Sequence, residues 1–180
     1  MTGRFLFAVA ILLFAGTPAA QPNAAQVHEA DVLYLPTPHA VVESMLRLAG
    51  VSGTDVVYDL GSGDGRIPIA AARTYGARGV GIELDGRMLE LARSNARAAG
   101  IGGLVEFRQE DLFRADLREA TVVTLFLFPD MNRRLLPKLR AELRPGTRIV
   151  SHRFGLGDWA PERTVEAGGH PLLLWTVPHK

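Results

Sequence analysis

Three carboxylates and a glycine run carry most of the chemical information in this 180-residue chain. Asp59-Leu60-Gly61-Ser62-Gly63-Asp64-Gly65 follows a short β-rich run and precedes a helical stretch. A sharp strand-to-helix turn of this kind lets the backbone approach a ligand closely, because glycine carries no Cβ. Asp59 stands two residues before the first glycine, at a strand end where a buried carboxylate needs a partner. Glu83 ends the next β-rich run, at the distance from the glycines where an acid reaches ribose hydroxyls. Asp111 follows a third, within Gln109-Glu110-Asp111-Leu112-Phe113. Acids at the ends of three consecutive strands would line one edge of a sheet.

So many negative charges suit a pyrophosphate poorly and a cationic nucleoside well. The spacing is GxGxG, with Arg66 where a dinucleotide fold has its third glycine. That preference points to S-adenosyl-L-methionine, whose sulfonium and ammonium are positive. A nicotinamide-dependent oxidoreductase is the rival enzyme class.

Together these motifs resemble a class I S-adenosylmethionine-dependent methyltransferase from about Leu33 to Pro178. The resemblance implies that Asp59 and the Gly61, Ser62, Gly63 and Gly65 loop hold the methionine part. It further implies Glu83 for the ribose diol and Asp111 for the adenine amine, with Asp85 as a supporting contact. Tyr34 either packs over the cofactor or anchors the segment ahead of the domain. A narrower resemblance rests on Tyr34-Leu35-Pro36-Thr37-Pro38, VVYDLGSGDGRIPIAAA, GVGIELD, TVVTLFLFPDMN, PGTRIVSHRF and GDWAP. It is to the mitochondrial lysine methyltransferases of the ATP-synthase c-subunit and the adenine nucleotide translocase, with their prokaryotic relatives. That branch implies protein-lysine N-methylation. A small-molecule N- or O-acceptor, and an exported non-catalytic nucleoside-binding module, are the alternatives.

The acceptor is expected at the end of the fourth strand, where Phe128, Pro129 and Asp130 stand, with His152 and Trp159 nearby. Leu127-Phe128-Pro129-Asp130 does not match the [Asn/Asp]-Pro-Pro-[Tyr/Phe] motif of amino-methyltransferases acting on nucleic-acid bases or glutamine. The five histidines show no helical i, i+4 pair, so no metal is expected. The absence of cysteine excludes disulfides, thiolate metal sites and a cysteine nucleophile.

The elements that must position these groups alternate along the chain. Helical stretches read over 37–49, 66–75, 86–99 and 130–143, and Thr37-Pro38 reads as an N-cap followed by a first-turn proline. Strands read over 55–60, 79–84, 104–109, 121–128, 147–154 and 172–177, with a short one over 164–167. The expected fold is therefore α/β and Rossmann-like, a mostly parallel twisted sheet of about seven strands with helices on both faces.

Residues 1–25 read as a signal peptide or N-terminal anchor: Arg4, then the uncharged FLFAVAILLFAG, then small residues. Residues 26–50 form a linker and pre-domain helix, and 51–180 the methyltransferase domain. An exported, periplasmic or membrane-associated protein follows, or a cytoplasmic one if translation starts downstream. The 20 basic residues oppose 19 acidic ones, so no nucleic-acid partner is expected. The basic helix bearing Arg133, Arg134, Lys138, Arg140 and Arg144 reads as a solvated face.

Overall fold

Runs of β-branched and apolar residues that recur every thirty residues or fewer, with amphipathic stretches between them, build a layered sheet. The computed structural model describes residues 35–179. Tyr34 and the apolar N-terminal segment lie outside those residues. The strands are β1 (Val56–Leu60), β2 (Arg78–Glu83), β3 (Val105–Gln109), β4 (Val122–Leu125), β5 (Arg148–His152), β6 (Arg163–Ala167) and β7 (His170–Thr176). The helices are α1 (His39–Leu48), α2 (Arg66–Tyr75), α3 (Gly86–Ala98) and α4 (Pro129–Glu142).

The strand order is β3-β2-β1-β4-β5-β7-β6. β1 to β5 run parallel, whereas β7 is antiparallel to both β5 and β6. Strand alternation assigns the two faces. Val57, Val122, Val150 and Leu172 pack with Val41, Val42, Met45 and Leu46 of α1 and with α2. Tyr58, Leu60, Val123, Leu125 and Ile149 pack on the opposite face with Leu135, Leu136 and Leu139 of α4. α3 extends the first layer through Leu89, Ala92 and Ala96 against Phe107 and Ile69. The β3–β4 connection carries no helix, and Ala115, Leu117 and Ala120 fill the second face there instead.

Because β1 is flanked by β2 on one side and β4 on the other, the chain leaves it in opposite directions. A crevice opens at such a switch point, outside the carboxyl ends of the strands. Asp59, Glu83 and the residues after β4 all stand at that edge.

Two details depart from the sequence reading. α1 begins at His39 with Pro38 as its N-cap residue, and no side chain caps it. The Thr37 hydroxyl is instead 3.1 Å from His152 Nδ1, a tertiary partner 115 residues away. β4 ends at Leu125 rather than at Phe128, so Phe126, Leu127 and Phe128 form the lip of the crevice. Among the described residues, no helix is long and apolar enough to cross a membrane.

Gly65 closes the glycine loop at φ +77, and a Cβ there would stand 2.6 Å from the Phe107 ring. Gly65→Ala therefore meets both an unfavourable backbone and an occupied core. We expect it to lower unfolding free energy by about 2–4 kcal/mol. Urea unfolding of the two proteins checks this.

Candidate active site

The glycine loop is held by its own amides. Gly61 N–H and Ser62 N–H both donate to Ile82 C=O, and Gly65 N–H donates to Ser62 C=O. Gly63 N–H donates to Glu83 Oε2 at 2.9 Å. A phosphate cradle needs free amide donors. These four are spent internally, so the loop is poorly suited to a pyrophosphate. Ser62 turns its hydroxyl inward, buried and without a hydrogen-bond partner among the described residues, towards Gly81. Any contact it makes with a ligand falls to its backbone. Asn95 of α3 donates to Asp64 C=O, and Arg66 bridges Asp64 to Thr37 C=O, so loop and pre-helix segment are tied together.

Glu83 is fixed by three backbone donors. Besides Gly63, Leu84 N–H and Asp85 N–H reach its Oε1 at 2.8 and 3.0 Å. Asp59 is buried at 4% exposure and takes one side-chain hydrogen bond, from Thr124 Oγ1 at 2.7 Å. In the parallel register Asp59 and Thr124 are direct partners, which explains the contact. Burial, reinforced by the charges of Glu83 and Asp64 and opposed by Thr124, pushes the Asp59 carboxyl up to about 7. No ion pair reaches it among the described residues. Asp111 is further out on the β3 side, where its carboxylate accepts from Phe113 N–H at 2.9 Å and approaches Arg114. Asp85 is the N-cap of α3 and accepts from Arg87 N–H, so its side chain is already used.

Beside this acidic half lies an apolar cleft. Leu35, Phe126, Leu127, Phe128, Met131, Arg153 and Phe154 line it. The two halves touch, since a Cβ on Gly61 would stand 3.2 Å from Leu127 Cδ2. Phe154 stacks on Phe126 at 6.4 Å between centroids and tilts against Phe128 at 6.0 Å. Pro129 opens α4 behind Phe128. Asp130 is exposed and ion-paired with Arg133 one turn on. His152 is buried behind Phe126, with ring centroids 4.0 Å apart. Its Nδ1 meets Thr37 Oγ1 and its Nε2 meets His170 Nδ1 at 2.9 Å. Burial, with His170 and Arg153 adding repulsion, pulls its pKa down to about 4. A neutral imidazole with both nitrogens engaged joins Thr37 to His170 and so positions the segment over the crevice. Trp159 stands elsewhere. Its carbonyl accepts from Trp175 Nε1, and its ring lies under Arg140 of α4.

Known proteins decide the lineage. Residues 59–163 match the ANTKMT methyltransferase domain. The chain belongs to that family. A protein-lysine N-methyltransferase of Saccharolobus islandicus is 44% identical, over 81% of this chain and 94% of its own length. The adenine nucleotide translocase lysine N-methyltransferase of Mus musculus is 40% identical over 76% of this chain, which spans 59% of the mouse protein. A solved RNA methyltransferase from Salinibacter ruber, in complex with S-adenosyl-L-homocysteine, superposes with a TM-score of 0.80. It is 59% identical, with 81% of this chain and 95% of that one covered. The fold expected from the sequence, a Rossmann-like methyltransferase sheet of seven strands, is the fold found.

The methyltransferase's donor set fits S-adenosylmethionine. Among the described residues, Asp59 and Glu83 are acceptors in no ion pair, beside a loop in which the amides of Gly61, Ser62, Gly63 and Gly65 are spent. Sequence reasoning missed Thr124, Thr37, Phe126, Phe154 and Arg153. Thr124 was visible as the one polar residue inside an otherwise apolar strand. The other four lie within the motifs that carry the resemblance, but only the tertiary fold brings them together at the cleft.

The Asp59 carboxyl titrates higher in the folded protein than the value near 3.9 of an unfolded chain. Between about pH 4 and 7 the folded state therefore holds more protons, and stability falls as pH rises through that window. Ligand-free Asp59→Asn should lose that component of the decline and melt higher than the wild type at pH 8. Thermal melting of both proteins from pH 4 to 8 checks this.

Proposed function

We propose that this chain transfers the methyl group of S-adenosylmethionine to lysine side chains of a protein. The reading rests on one juxtaposition: an aromatic cleft without a polar motif abuts the glycine loop through Leu127 and Gly61. The Saccharolobus islandicus relative, matched over 94% of its own length, is named a protein-lysine N-methyltransferase.

The chemistry asks little of the protein beyond alignment. A bound sulfonium supplies an already activated methyl carbon. The acceptor must present a lone pair in line with it, so a lysine has to arrive as the neutral amine. Phe126, Phe128 and Phe154 provide an apolar wall from which an entering lysine displaces water, and that desolvation favours the neutral amine over the ammonium. Asp59 and the Gly61–Gly65 loop would hold the α-ammonium of the methionine part, and Glu83 the ribose hydroxyls. Asp111 would lie towards the base. His152 keeps Thr37 and the Leu35 segment in place. It stays neutral through the physiological range and takes no proton from the acceptor.

Lysine methylation and RNA methylation make opposite demands on the surface. The Salinibacter ruber neighbour is named for RNA, and that is the second reading. Phosphate tracking needs a stripe of uncommitted cations. On α4 the basic residues already have partners: Arg133 with Asp130, Lys138 with Glu142, Arg140 with Asp158, and Arg134 over the Phe113 ring.

Two outcomes are expected. Tritiated-methyl transfer into a fractionated cell lysate should label material destroyed by protease and resistant to ribonuclease, with label recovered as methyl-lysine. Label sensitive to ribonuclease would replace this reading with the second. On a labelled substrate, kcat/KM should climb towards pH 9, approaching about tenfold per unit as the amine deprotonates, without an inflection near pH 6.5 from histidine.

A further inference from the structure

Arg153 is the one non-glycine residue at positive φ among the described residues, with φ 71. A side chain in the left-handed region is strained, and such strain persists only where the surroundings over-determine the backbone. They do so here. Arg153 N–H donates to Pro171 C=O at 2.8 Å, and Phe154 N–H donates to His152 C=O. Ser151 Oγ donates to Phe154 C=O at 2.6 Å. The buried Asn132 Nδ2 of α4 donates to Phe154 C=O and Gly155 C=O at 3.3 and 3.0 Å. Glycine would satisfy this turn without strain. The arginine side chain is not required by the turn itself.

What the turn does is set Arg153 at the rim of the cleft. Arg153 is exposed and lines the cleft with Phe126, Phe128 and Phe154. Its guanidinium has no hydrogen bond or ion pair among the described residues. The carboxylate just past Pro129, Asp130, is taken by Arg133. His152, next in sequence, spends Nε2 on His170. An uncommitted arginine on a fixed backbone beside an apolar cleft matches a carboxylate, which its guanidinium can bind in a bidentate fork.

Resting on the lysine reading above, we propose that Arg153 is a specificity-determining residue that pairs with an acidic side chain flanking the target lysine. An isolated cation suits one carboxylate. A nucleic-acid backbone would call on further free cations, which the paired residues of α4 do not supply.

The test uses the full chain and two short acetylated peptides, one with Glu-Lys-Glu at its centre and one with Gln-Lys-Gln. The wild type should methylate the acidic peptide about fivefold or more better in kcat/KM. Arg153→Gly relieves the backbone strain, so it should fold and melt no lower than the wild type. In that protein the preference should fall to about one, and in Arg153→Glu it should invert. Arg153→Asn, which also tolerates the left-handed region, repeats the first comparison with a side chain in place. An equal preference in wild type and Arg153→Gly overturns the assignment, while methylation of either peptide still supports the lysine reading. Wild-type enzyme that labels neither peptide but labels a short RNA overturns both.

Discussion

A buried carboxyl without a counter-charge organises this site. Asp59 is closed off at the end of β1, receives a single side-chain hydrogen bond from Thr124, and faces the like charges of Glu83 and Asp64. Desolvation makes its ionised form costly, and among the described residues the Thr124 hydrogen bond relieves it only in part. Its neighbours are arranged around that condition. Thr124 comes from β4 because the parallel register sets it opposite Asp59. Glu83 is clamped by three amides so that it keeps its place despite the repulsion. The protein therefore presents a cavity edge with an electrostatic need, and a cationic ligand meets it.

The same topology supplies the second half of the site. Reversal of strand order at β1 opens one crevice, with the glycine loop on one wall and the Phe126–Phe128 lip on the other. The walls differ in kind. One is polar with four loop amides already committed, and the other is aromatic and carries Arg153, whose guanidinium has no partner among the described residues. A methyl donor and a methyl acceptor need that division: charge complementarity for the first, dry apolar packing for the second. Contact between Gly61 and Leu127 brings the two environments together without a residue acting as a base.

Much of the architecture was legible in the chain because its signals are local. The helix read over 66–75 is the helix found, since a glycine punctuates each end in the left-handed conformation. Asp59 and Glu83 read as strand-end acids and stand there. Signals that depend on the partner chain segment were misleading. Thr37 looks like an N-cap, but His152 outcompetes the helix amides for its hydroxyl. The run 121–128 looks like one long buried strand, yet β5 pairs with it only over Val122–Leu125. Beyond that ladder the aromatics are free to turn into the cleft. Trp159 was expected beside His152, but the Trp175 indole draws its backbone under α4. The left-handed backbone of Arg153 is not legible in the sequence, because the hydrogen bonds that enforce it come from β7 and α4.

If the unbalanced Asp59 carboxyl is the centre of the site, cofactor binding must expel its proton. Isothermal titration of S-adenosylmethionine at pH 6, in two buffers of different ionisation enthalpy, counts the protons released. The account predicts close to one proton at pH 6, falling towards none at pH 8.5, and none at either pH in Asp59→Asn. Tight binding at pH 6 with no proton released by the wild type would contradict it.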